Sequence, residues 1–199
     1  FDLKRPSDTL DVKVGLTLDN ALIGSELLGL QADKLTGRIG YDTTTGFNST
    51  DLSATLFGRP VSVDIGPHLT TRSDAVLAAA FQFEVAVADI SAWQPISLTF
   101  PADGVAPVTV AVTLADGVAV DIRTDLEGVA IDLPLPWGKV AESRAPLHVQ
   151  WHSRASPAWR AFWFGRFSAA ADFSLPDAAV ATIDVTPRTR PPVNPLDLP

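Results

Sequence analysis

The chain has 199 residues, a formal net charge of −8 and a sequence pI of about 4.7, and it contains no cysteine. Because nucleic acid and anionic lipid surfaces are themselves negatively charged, this balance argues against both as broad binding partners. The lack of cysteine excludes disulfides, thiolate metal sites and cysteine nucleophiles, and no apolar run reaches the ~20 residues that a membrane-spanning helix needs.

The first third of the chain is predicted to form short strands joined by turns. Apolar and polar residues alternate there with the period of two that is typical of a strand buried on one face. This alternation covers residues 10–18, 35–41, 47–57 and 61–65. Asp19-Asn20 is predicted to form a turn, and Gly58 is predicted to form a tight corner between Phe57 and Arg59.

The middle of the chain contains the best helix candidate. Ala75 to Phe83 fits either a strand or a helix, whereas Glu84 to Trp93 is predicted to be a short helix, one of at most two. Gln94 to Pro107 is punctuated by proline and glycine, so we predict an irregular connection there.

A hairpin with its turn at Asp116-Gly117 is predicted next. Because the turn sets the register, the even-numbered residues of the two strands are expected to share one aliphatic face. These residues are Val108, Val110, Val112, Leu114, Val118, Val120 and Ile122. The reverse face carries threonine, aspartate and arginine side chains, which is the pattern of a solvent-facing surface.

The second strand of this hairpin begins the stretch around which the chain is organised, residues 118–139. Its alternation is interrupted at Gly128, which is predicted to bulge the strand or to adopt a conformation that glycine tolerates easily. Pro134 and Pro136 are predicted to end the strand, because proline lacks a donor N–H and fixes φ.

The last part of the chain is predicted to form four further strands. They cover residues 146–153, 159–165, 167–173 and 178–185. Trp159 and Trp163 either fill a core from a strand buried on both faces or lie along an apolar groove in contact with acyl chains. From Pro187 onward, five prolines in thirteen residues predict an extended tail or linker.

No set of residues predicts covalent chemistry, a metal site or a cofactor. His148 and His152 are four residues apart on a predicted strand, which separates them by about 13 Å, too far to ligate one zinc ion. The chain has no Gly-x-Ser-x-Gly sequence, so no nucleophilic serine is predicted. Paired carboxylates could serve glycosidase chemistry, but the four acidic residues of this stretch are expected to be solvent-facing instead. They are Asp121, Asp125, Glu127 and Asp132. We therefore expect that the protein is not an enzyme.

Residues 1–186 are predicted to form a single all-β unit, followed by the tail at 187–199. The preferred architecture is an elongated, curved antiparallel sheet that forms an open groove, with one or two short helices. The alternative is a closed β-sandwich or jelly roll, whose strands would show the same alternation. The sequence leaves open whether a second sheet covers the apolar face.

Two motifs carry a resemblance to a known family. They are Thr124-Asp125-Leu126-Glu127-Gly128-Val129 with Leu133-Pro134-Leu135-Pro136-Trp137-Gly138-Lys139, and Ala54-Thr55-Leu56-Phe57-Gly58-Arg59-Pro60-Val61 upstream. Both resemble segments of the large AsmA-like proteins of the YhdP type, and their order and spacing fit that family over residues 22–173. Trp137 departs from the pattern, in which a smaller aliphatic residue is expected.

The resemblance implies a taco-like trough, apolar inside and polar outside, in the periplasmic part of a protein anchored in the inner membrane of a Gram-negative bacterium. The implied role is outer membrane biogenesis by carrying phospholipid between the inner and outer membranes. Acyl chains and adjoining segments of the same parent chain are the implied partners, and the lack of methionine even at residue 1 also predicts a piece of a longer protein. The alternative is a structural or protein-interaction module with no lipid path.

Overall fold

The structure is a computed structural model. It describes residues 11–25, 30–93, 101–134, 138–153, 158–163, 167–172 and 180–182, and for the last three of these ranges it describes the backbone. The predicted tail at 187–199, Pro136 and Trp137 lie outside the described residues.

Strands dominate the described part of the chain, with one α-helix and one short 3-10 helix. The strands are β1 (Lys13–Ser25), β2 (Leu30–Asp42), β3 (Gly46–Leu56), β4 (Arg59–Ile65), β5 (Leu77–Ala86), β6 (Ala102–Leu114), β7 (Val118–Thr124), β8 (Val129–Ile131), β9 (Leu147–His152), β10 (Ala158–Trp163), β11 (Phe167–Asp172) and β12 (Val180–Thr182). The helix α1 spans Val87–Trp93, and the 3-10 helix spans Pro67–Leu69.

The described strands belong to one open antiparallel sheet. Their spatial order follows the chain from β1 to β7 and then from β9 to β12, and β8 pairs with β6 off this path. The all-β prediction of an open, curved sheet with a short helix is confirmed. Among the described residues the strands do not form the second sheet that the sandwich alternative requires.

The register of the first strands contains irregularities in the β1–β2 and β2–β3 pairs. Within β1 the pairing with β2 shifts between Leu18 and Ala21, where Asn20 has a φ of 52°. A similar irregularity lies at Asp51 in β3, where φ is 51°. A bulge increases local twist and bends a strand. The predicted turn at Asp19-Asn20 is therefore wrong, because the chain continues in the same strand through the bulge.

The boundaries of α1 and β6 differ from the prediction. The helix begins at Val87 rather than Glu84, because β5 continues to pair with β6 up to Ala86. β6 already begins at Ala102, so Pro107 lies inside a strand rather than in a connection. Pro107 is tolerated because, on the side of β6 away from β5, β7 pairs only from Thr109 and β8 only up to Gly104.

The two halves of the 124–139 motif meet in space and hold this part of the sheet together. Gly128 has a φ of +91°, and a Cβ there would overlap the carbonyl oxygen of Val105, which confirms the predicted glycine requirement. The Lys139 ammonium donates to the carbonyl oxygens of Leu126, at 2.8 Å, and of Val129. β7 and β8 are thus separate elements that pair with successive parts of β6, not one kinked strand.

The predicted structural residues Gly58 and Pro134 have local roles. Phe57 and Gly58 both have positive φ, 52° and 74°, at the two-residue corner between β3 and β4. This pair of positive φ values is that of a type I′ hairpin turn, which confirms the corner. Pro134 lies just after β8, and its carbonyl oxygen accepts a hydrogen bond from the backbone N–H of Gly138 at 3.3 Å.

The most tightly packed cluster lies where α1 contacts β6. Ala106, Val129 and Ile131 are buried there, each less than 5% exposed, and Val87 and Leu126 pack against them. The helix therefore covers one end of β6. Elsewhere a single sheet layer leaves most apolar side chains of the described residues only partly buried.

Candidate functional site: the apolar face of the sheet

The hairpin between β6 and β7 has the predicted parity. Val110 pairs with Ile122, and Val112 pairs with Val120. Leu114 pairs with Val118, so the loop contains three residues rather than two. Directly paired residues of antiparallel strands point to the same face. The even-numbered residues of β6 and β7, including Val108, therefore share one aliphatic face.

The register extends this face over the whole described sheet. Three sets of paired residues show the extension: Ile23, Ala32 and Leu56; Leu52, Val63, Phe81, Val110, Ile122, Val149, Ala161 and Ala169; and Ile65, Ala79, Val112, Val120, Trp151, Trp159, Ala171 and Ala181. Leu52 and Leu56 are four residues apart in β3 and therefore lie on the same face of that strand. The first set is thus continuous with the second. The face, which we call the apolar face, thus runs from β1 to β12.

Trp159 and Trp163 occupy register positions on the apolar face. Trp159 pairs with Trp151, and Trp163 pairs with Leu147. Both partners belong to β9, whose odd-numbered residues pair with the even-numbered residues of β7 and share their face. The side chains of β10 lie outside the described ones, so the sequence-based choice between a groove and a two-sided core at these two residues stays a prediction.

The apolar face is buried along its floor and open toward its ends. Leu52, Val61 and Val108 are at most 9% exposed, although no second sheet covers them among the described residues. By contrast, Ile23 in β1 is 58% exposed and Leu114 at the end of β6 is 39% exposed. Burial of Leu52, Val61 and Val108 without a second sheet among the described residues is the pattern expected of a sheet that curves around its own apolar side.

The reverse face carries a polar cluster around Asp121. The Asp121 carboxylate accepts hydrogen bonds from His148 at 2.5 Å, Arg123 at 2.6 Å and Gln150 at 3.3 Å. Partial burial works to raise the pKa of Asp121, but the hydrogen bonds and charges of His148 and Arg123 outweigh it and hold the pKa below its ordinary value. The carboxylate therefore stays ionised, and the cluster joins β7 to β9 across the face opposite the apolar one.

The contact between Asp121 and His148 was missed in the sequence, because the two residues are 27 positions apart and only the pairing of β7 with β9 brings them together. His148 and His152 do lie on one strand, β9, as predicted. Within the described ranges, no group of three or more histidines, cysteines and carboxylates is arranged to hold a metal ion. In the same residues no helix is long and apolar enough to cross a bilayer.

Comparison of this chain with known protein families, with curated proteins and with solved structures finds no match. The family resemblance therefore rests on the two motifs themselves. The candidate site is defined by geometry alone, as an apolar face that crosses the sheet from edge to edge.

Proposed function

We propose that this chain is a segment of a lipid-carrying groove of the AsmA-like type, which holds phospholipid acyl chains on the apolar face. The observation that supports this proposal is the continuity of that face, which passes through every strand of the main path without a covering sheet among the described residues. A sheet of this kind offers a chain-like apolar ligand an uninterrupted surface.

The energetics of such a surface favour acyl chains. Each methylene group removed from water contributes about 0.8 kcal/mol, and the contribution repeats along the ligand. Because neighbouring strands are about 4.8 Å apart, an acyl chain that lies across the strands contacts several of them at once. No covalent step is needed, which agrees with the expectation that the protein is not an enzyme.

The cellular setting of the proposal comes from the motif resemblance. The segment would lie in the periplasm of a Gram-negative bacterium, within a parent protein anchored in the inner membrane, and would carry phospholipid between the inner and outer membranes. Adjoining segments of the same parent chain would extend the sheet and its apolar face. The polar reverse face, with Asp121 and His148, would keep the groove in water.

Native mass spectrometry of the purified chain tests the proposal directly. We expect phospholipid to co-purify with the wild type and to be lost from Val120→Asp, because a carboxylate on the apolar face must stay hydrated. The control is Thr109→Asp, an exposed position of β6 on the reverse face, opposite Arg123. It should retain lipid.

A folded wild type that carries no phospholipid, even after incubation with vesicles, would contradict the groove. It would favour the alternative of a structural or protein-interaction module, in which the same face packs against protein. Equal lipid occupancy in Val120→Asp and the wild type would show that lipid binds somewhere other than this face.

A further inference from the structure

The first strand, β1, forms an open edge of the sheet. Among the described strands only β2 pairs with it. Proteins usually protect such an edge with a short strand, proline or an early bulge, because its backbone N–H and C=O groups can pair with another chain. β1 instead has 13 residues and no proline, and it runs regularly up to the bulge at Asn20. Its side chains Val14 and Leu16 are 58% and 54% exposed.

The odd-numbered residues at the start of β1 direct their backbone groups toward the open edge. The Thr43 N–H donates to the Val12 carbonyl oxygen at 3.2 Å, so the backbone groups of Val12 point toward β2. This direction alternates along a strand, and the pairing with β2 is regular as far as Leu18. The N–H and C=O groups of Gly15 and Thr17 therefore point away from β2 and can pair with a further strand.

The even-numbered residues of this segment belong to the apolar face. Ser53 lies on the reverse face of β3 and pairs with Thr36 of β2. Arg38, two residues later, faces the same way as Thr36 and pairs with Thr17. Leu16, which is next to Thr17, therefore lies on the apolar face.

The segment 13–19 is complementary to itself in one antiparallel register. When Leu16 lies opposite Leu16 of a second copy, Lys13 lies opposite Asp19 and Val14 lies opposite Leu18. Aliphatic side chains then meet on the apolar face, and opposite charges meet on the reverse face. Both kinds of cross-strand pair stabilise a sheet.

The neighbouring registers are less favourable. A shift by one residue places backbone groups that point outward opposite groups that point toward β2. A shift by two residues in one direction places Asp11 opposite Asp19, and like charges directly opposite one another are destabilising. A shift by two in the other direction brings the bulge at Asn20 into the pairing.

We propose that two copies of this chain associate through β1, with residues 13–19 of the two strands antiparallel around a two-fold axis at Leu16. An axis perpendicular to the sheet keeps the apolar faces of both copies on the same side, so the two faces join into one. The inference goes beyond the proposed function and holds whatever ligand the apolar face binds. Adjoining segments of a parent chain would then extend the sheet at its β12 edge.

Single cysteines test the register, because the chain has none of its own. Leu16→Cys places two thiols opposite each other, about 4.5 Å apart at Cα, which a disulfide can span. Val14→Cys is the matched control, since Val14 lies on the same face of the same strand and is similarly exposed. In this register the two Val14 residues are more than about 13 Å apart. Mild oxidation should therefore cross-link Leu16→Cys and not Val14→Cys, and the reverse result would overturn the register.

Charge reversal tests the pairing of Lys13 with Asp19. Sedimentation at increasing concentration should bring the wild type to twice the chain mass of 21.1 kDa. Lys13→Glu and Asp19→Lys each place like charges opposite one another at two positions of the dimer, which should weaken dimerisation by about tenfold. An equimolar mixture of the two variants restores opposite charges at both positions and should dimerise as the wild type does.

Gly15→Pro separates dimerisation from folding. It removes an N–H that points away from β2, so the circular dichroism spectrum should be unchanged while the dimer is lost. A dimer that persists in Gly15→Pro uses another surface and overturns the proposal. So does a wild type that is monomeric at every concentration, or a mixture of the charge variants that associates no more tightly than each variant alone.

Discussion

Gly128 shows how one backbone conformation controls the connection between β7 and β8. Its φ of +91° is one that side chains rarely adopt, and the space for a Cβ is occupied by the Val105 carbonyl. Its own N–H donates to the Ala141 carbonyl at 2.9 Å. A side chain at this position must therefore disturb the backbone of β6 or the segment that follows β8.

We predict that Gly128→Val lowers the free energy of unfolding by more than about 1 kcal/mol, from backbone strain and from the clash together. Urea denaturation of the purified variant measures this. Gly15→Val is the control, because Gly15 lies in β1 and a Cβ there meets nothing within 4 Å. Equal midpoints for Gly128→Val and the wild type would refute the role given to Gly128.

At the scale of elements, the polar cluster joins β7 to β9 through side chains as well as through backbone pairing. Asp121 and His148 belong to different strands, and both are largely shielded, with side chains 22% and 17% exposed. The pKa of Asp121 is lowered in the folded chain. Over the pH range in which this carboxylate titrates, the folded state therefore binds protons less readily than the unfolded state. The contribution of this carboxylate to stability is thus complete above the unfolded pKa, about 3.9, and is lost as the pH falls through the lower folded value.

Asp121→Asn is accordingly expected to destabilise the chain at pH 6 and to reduce the steepness of the stability loss between about pH 5 and pH 3. Urea midpoints measured across this range test both effects. The control is Asp132→Asn, at an exposed position just after β8. If Asp121→Asn and the wild type lose stability in parallel over the whole range, the lowered pKa of Asp121 does not contribute to acid stability.

At the scale of the whole molecule, the open sheet determines whether the fold can accommodate larger side chains on either face. Val112 and Val120 are paired on the apolar face, and Thr113 and Ala119 are paired on the reverse face. All four are partly exposed. In a closed sandwich the first pair would be confined, and larger side chains there would strain the core.

We therefore predict that Val112→Trp with Val120→Trp folds with a near-normal unfolding midpoint but holds less phospholipid, because the indoles narrow the groove. Thr113→Trp with Ala119→Trp adds the same bulk to the reverse face and should leave lipid occupancy unchanged. Circular dichroism and native mass spectrometry on both variants give the two readouts. Insoluble protein from the first variant alone would indicate a closed core. Full lipid occupancy in the first variant would show that lipid does not lie against Val112 and Val120.

The sequence by itself determined the features that are local. The period-two alternation of apolar and polar residues predicted strands and the shared even-numbered face of β6 and β7, because the direction of a side chain follows from the geometry of the backbone. A tight corner at Gly58, and either a bulge or a glycine-type φ at Gly128, were also expected, since a glycine in an otherwise alternating run marks a turn or a bulge.

Only the tertiary structure decided the features that depend on distant partners. Asn20 could be a turn or a bulge until the pairing of β1 with β2 was known, and β8 could continue β7 until its pairing with β6 was known. The contact of Asp121 with His148 likewise exists only because β9 pairs with β7. Alternation says which side of a strand is apolar but not what covers it, so the open apolar face is a property of the assembled sheet.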